Sequence, residues 1–182
     1  MLKKIIICIF FIVIIIALLF VPLFPRLVLN GVKNNKVNFI FSINKKEFLI
    51  SYTHSVNKGR VRDYYIINTN NDIVLEKTRF VSYGAGMPDP QNDEKIIITD
   101  DYIEINNINK IIKDLYLFIG TVASHKIEFD VFDGFNIDRK EIELNRVFKP
   151  QVNIKIQYKR VSLFAVIMNF INNKVLRENN EA

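Results

Sequence analysis

EFLISYTHSVNKGRVRDYYII, residues 47–67, decides the fold. Phe48, Ile50, Tyr52 and His54 alternate with Leu49, Ser51 and Thr53, which is the two-residue period of a β-strand. Asn57-Lys58-Gly59 has turn chemistry, and 61–67 reads as the returning strand. The hairpin register is open from the pattern alone. A three-residue loop places His54 opposite Arg62. A four-residue loop places it opposite Asp63, and aligns Tyr52 with Tyr65 and Ile50 with Ile67. One slip exchanges the faces of a whole strand. We favour the His54–Asp63 register, because a facing carboxylate fixes an imidazole tautomer and raises its pKa. The alternative is a histidine at the edge of a core, satisfied by one carboxylate or carbonyl.

Outward from this hairpin the same texture continues. Short β-branched and aromatic runs at 37–43, 73–83, 95–99, 102–105, 126–132, 140–148 and 152–158 are separated by Asn, Asp and Gly. Residues 108–119 fit a helical spacing as well as a buried strand, and a strand from about 115 is favoured. Eight to ten short strands predict a mainly β domain, a β-sandwich or partly open barrel, with an N-terminal transmembrane helix.

That helix is the apolar run from Ile5 to Val21, preceded by Lys3 and Lys4 and free of charge. Extended through Phe24, it matches the roughly 20 residues that cross a bilayer core. The lysines favour an N-terminus kept in the cytoplasm and a domain delivered outside. Its end, Val21-Pro22-Leu23-Phe24-Pro25-Arg26, lacks the small-residue cleavage pattern of a secretory signal. The expected division is therefore an anchor over 1–26, an extracytoplasmic β domain over 27–158, and an apolar segment with a polar tail over 159–182. A cleaved signal and a buried N-terminal helix are the alternatives for the first segment. For the last, nearly all apolar over 161–171 yet too short to span, the alternatives are packing on the domain, lying at the membrane interface, or contact with a partner.

Charge and composition narrow the function. Beyond the apolar run, 23 basic residues against 19 acidic ones leave +4. That suits a nearby anionic membrane and is too diffuse for nucleic acid. The single cysteine, Cys8, lies inside the apolar run, which leaves the domain without disulfide or thiol chemistry. Two histidines cannot make a Cys/His zinc site, so we expect no metal and no cofactor.

Three clusters could carry chemistry. The first is His54-Ser55-Val56 with Asp63. The second is Phe80-Val81-Ser82-Tyr83-Gly84-Ala85-Gly86-Met87-Pro88. Its paired glycines are not a phosphate loop: no third glycine follows, and no helix opens behind them. Gly84 and Gly86 instead suit a sharp bend or a ligand close to the backbone. The third is Gly120-Thr121-Val122-Ala123-Ser124-His125. Ser55, Ser124, His54, His125 and Asp63 do not have the spacing of a hydrolase elbow, and we expect no catalytic residues and no enzyme. A small ligand or ion bound by His54, Ser55, Asp63, Tyr83, Gly84, Gly86 and His125 is the alternative, with His54 and His125 facing each other across two sheets.

In this order the three clusters resemble an uncharacterised bacterial family, the domain of unknown function eighteen-fifty. Its pattern has a His-Ser-Val with a following acid, a Phe-x-Ser-Tyr-Gly-Ala-Gly-(Met/Leu)-Pro stretch and a Gly-x-x-Ala-x-His. The acid here is Asp63, where the family pattern favours Glu. The resemblance covers about 27–158 and implies an association without implying a reaction. Members look like small membrane-tethered companions of tripartite ATP-independent (TRAP) transporters that use TAXI-type solute-binding proteins. The implied partners are thus the cytoplasmic membrane and a transporter membrane subunit or solute-binding protein.

Overall fold

A computed structural model describes residues 2–33, 37–83, 90–91, 93–132 and 136–181. Helix α1, Leu2–Phe20, is long and apolar enough to cross a membrane and is exposed along nearly all of its described length. Strand β1, Pro22–Gly31, begins directly after it. Residues 21–26, expected with the anchor, therefore include the start of the sheet. Continuity with the apolar run hid this strand. Strand β2, Val37–Phe41, pairs only with Leu27–Asn30 of β1, so the first half of β1, which holds Pro22 and Pro25, is paired on one side alone, by β12.

The central hairpin is β3, Glu47–Thr53, and β4, Arg60–Ile67, and β5, Ile73–Phe80, follows. Next come β6, Lys95–Ile98, β7, Ile103–Asn106, β8, Lys110–Ile112, and β9, Leu115–Ile119. The 108–119 segment is thus two short strands. Strand β10, Lys126–Phe132, pairs with β11, Ile137–Glu143. The strand expected over 140–148 ends instead in a single helical turn, α2, Leu144–Val147. Strand β12, Val152–Ser162, runs past its expected end at 158. The Ser162 hydroxyl accepts a bond from the Ala165 N–H (3.2 Å) and caps helix α3, Leu163–Glu181.

Two sheets result, and neither closes. One has the order β2-β1-β12-β9, the other β11-β10-β3-β4-β5-β7-β6, with β8 also on β5. They share one core: Leu27, Leu29, Ile154 and Ile156 from the first meet Phe48, Ile50, Ile127 and Phe129 from the second. A smaller cluster of Val61, Phe80 and Ile105 lies beyond the end of this overlap.

Long β12 orients the whole. Its Ser162 end pairs with Pro22, next to α1, and its Val152 end pairs with Ile119. Eleven strand residues span about 33 Å. The segment that follows Ile119 therefore leaves the domain at the end opposite α1.

Candidate functional site

The hairpin adopts neither expected register. Ile50 pairs with Asp63, Tyr52 with Val61 and Thr53 with Arg60. His54 lies past the last strand pair, where its N–H bonds the Gly59 carbonyl (2.9 Å) and its carbonyl accepts the Lys58 N–H (3.1 Å). It does not face Asp63, and Tyr52 does not face Tyr65. Local turn geometry decided this. His54 Nδ1 accepts long bonds from the Val56 and Asn57 N–H groups (3.3 and 3.4 Å), and Lys58 takes the left-handed conformation (φ 58°). Aromatic packing follows the same register, with Phe48 stacked on Tyr65 at 5.0 Å.

Space is tight at Gly59. A Cβ there would sit 3.1 Å from Val81 Cβ. Asn57 tightens the same contact, since its Nδ2 donates to the Ser82 carbonyl (3.1 Å) and hydroxyl (3.2 Å). The turn at 54–59 is thereby latched onto 81–83. On its other side the Thr53 N–H bonds the Ala123 carbonyl (2.6 Å). Arg60 donates to Ser124 O (2.8 Å), to Ser51 Oγ (2.7 Å) and to Thr53 Oγ1 (3.4 Å).

The described parts of the three clusters, 54–56, 80–83 and 120–125, therefore lie side by side at one end of the larger sheet. That end carries the 120–125 segment, so it is the end away from α1. Val56 (66% exposed), Val122 (76%), Val81 and Tyr83 offer apolar surface there. Ser55 is exposed at the turn, and its carbonyl accepts Lys58 Nζ at 2.6 Å. Tyr83 stands edge-on to Phe80 at 5.2 Å. Gly84 and Gly86, with the bend expected of them, lie outside the described residues.

The histidines are not opposed across two sheets. His125 immediately precedes β10, the neighbour of β3, so both belong to one sheet end. Its ring lies 5.6 Å from that of Tyr52. It is buried, and its Nδ1 has no hydrogen-bond partner among the described residues. Burial, and then the Arg60 guanidinium, hold His125 below the usual imidazole range.

Asp63 sits elsewhere, on the inner face. Direct strand partners share a face, so one row crosses the sheet as Ile142, Ile127, Ile50, Asp63, Thr78, Ile105 and Ile96. Asp63 and Thr78 are its polar members, and the Thr78 hydroxyl donates to Asp63 Oδ1 at 2.6 Å. Burial raises the Asp63 pKa, against the pull of this bond. Tyr52, half-buried and near the Asp63 charge, is pushed up to about 12. Asp63, Tyr52 and Thr78 line a cavity of about 420 Å³ walled by Val61, Leu75, Ile105 and Ile108, with Gln91, Glu94 and Lys110 around it. Neither histidine is among its described lining residues. Thr78 was missed in the sequence because its value depends entirely on register. Among the described residues no three of His, Cys, Asp and Glu come together as a metal site.

A mainly β domain of two open sheets, carrying an N-terminal apolar helix of span length and a cluster of three motif segments at its far end, is the class these observations define. The chain belongs to the family described as Domain of unknown function (DUF1850), whose model matches residues 48–147. That match runs from β3 through α2 and contains all three clusters. No curated protein and no solved structure matches the chain.

Proposed function

We propose that this protein is a membrane-anchored, non-catalytic accessory of a TAXI-type tripartite ATP-independent transporter. In this reading α1 is a single-pass anchor in the cytoplasmic membrane with its N-terminus inside. The two sheets form an open sandwich on the outer face. The transporter link comes from the family resemblance. One structural observation supports a contact role: three latched motif segments present Val56, Val81, Tyr83 and Val122 at the end away from α1. An apolar tip at the far end of an eleven-residue strand from the anchor junction suits a protein partner rather than lipid. Purification in mild detergent tests it. The wild type brings down the transporter membrane subunit or its solute-binding protein, and Val56→Asp with Val122→Asp does not. Wild-type protein that retains neither subunit, in cells where its deletion leaves uptake unchanged, overturns the proposal.

A second reading is supported by the Asp63 cavity. Among the described residues no cation pairs with this carboxylate, and four aliphatic side chains surround it. Such a site suits a small amine with an apolar body. A thermal-shift screen of small alkylamines tests it: a shift that Asp63→Asn abolishes supports the reading, and none with any amine rejects it.

A further inference from the structure

Helix α3 has two unlike faces. Asn169 is buried, and its Oδ1 accepts the N–H of Ile40 in β2 at 3.0 Å. Strand β2 is the edge of its sheet, so this face of α3 covers an open ladder. The opposite face carries Phe164, Ile167, Met168 and Ile171 at helical spacing, and all four are exposed. This stripe starts at the anchor, with the Phe164 ring 4.9 Å from that of Phe20, the last residue of α1. Leu23, the second residue of β1, is exposed as well.

Charge gathers at the same end. Arg26 pairs with Lys159, and Arg160 with Pro25, in the part of the β1–β12 ladder nearest α1. None of the three forms an ion pair among the described residues. Three unpaired cations a few residues from the end of a bilayer-length helix lie within reach of lipid phosphates.

We propose that the exposed stripe of α3, with Arg26, Lys159 and Arg160, is a second membrane contact that seats the domain on an anionic bilayer surface. The proposal rests on α1 being a membrane anchor and goes beyond it. A single helix leaves a domain free to swivel, whereas a second contact fixes which way the motif end points. The occupant is lipid because the stripe is continuous with α1, and whatever solvates Phe20 also meets Phe164.

The chain contains no tryptophan, which makes the test direct. Full-length Ile167→Trp, Phe11→Trp and Val122→Trp are each reconstituted into phosphatidylcholine–phosphatidylglycerol vesicles with brominated acyl chains. Circular dichroism verifies the fold of each. The expected result is strong quenching and blue-shifted emission for Ile167→Trp and Phe11→Trp, with Val122→Trp unquenched. Adding Arg26→Gln, Lys159→Gln and Arg160→Gln lowers the quenching of Ile167→Trp. If Phe11→Trp is quenched and Ile167→Trp behaves like Val122→Trp, the second contact is refuted while the anchor stands. If Phe11→Trp is also unquenched, anchor and contact fall together. Quenching indifferent to the three charge removals overturns the anionic part.

Discussion

Asp63 accepts a 2.6 Å hydrogen bond from Thr78 in the middle of a row of isoleucines. The pair is polar, adjacent and on the inner face of the larger sheet. A carboxylate there has lost water and gained one hydroxyl, so its charged form is disfavoured.

The sign of its pH effect follows. With the folded pKa raised, stability is fully present below the ordinary carboxylate pKa of about 3.9 and is lost as pH rises through the folded value. Asp63→Asn keeps the bond from Thr78 and removes the charge. Its melting temperature should exceed that of the wild type by a few degrees at neutral pH, and the gap should close in acid. Calorimetry at several pH values measures this. A variant less stable than wild type at neutral pH contradicts it.

His125 behaves in the opposite sense. Its folded pKa is lowered, so the neutral ring is favoured. The associated stability is present above about 6.5 and is lost as pH falls through the lowered folded value. Urea midpoints should decline over that range, and His125→Phe, which keeps a ring against Tyr52, should flatten the decline. Equal slopes in the two proteins would refute the assignment.

Arg60 ties the hairpin to the 120–125 segment through Ser51, Thr53 and Ser124. Arg60→Ala should cost about 1.5–3 kcal/mol, the range for bonds to a charged donor. Hydrogen exchange should quicken at 121–125 more than in β12. Unchanged exchange there would show that the tie is not energetic.

Gly59→Ala should destabilise by about 1–3 kcal/mol through crowding against Val81. Because the fault is steric, Val81→Ala should recover part of the loss in the double variant. No recovery would place the defect in the backbone of the turn.

Much of the fold was legible because burial on one face imprints a period of two, as in β4 and β10, whereas β3 is buried on both faces. Strand β1 was not, since residues 22–26 continue the apolar run and read as the end of the anchor. Of the site, the three clusters were visible, but the grouping of His54, Asp63 and His125 was not. Register separates Asp63 from His54 by several rungs, and a turn closed by the His54 and Gly59 backbones is invisible to side-chain alternation. Tyr52, which lines the Asp63 cavity and touches His125, links the two regions.

In the proposed arrangement the motif end stands outside the cell membrane while α1 holds the chain in it. Cys8 is the sole cysteine, so Cys8→Ser with Val122→Cys places one thiol at the tip. Treating intact spheroplasts with a membrane-impermeant maleimide should label this protein in the membrane fraction, at full length, without lysis. Labelling that appears only after lysis would contradict the account.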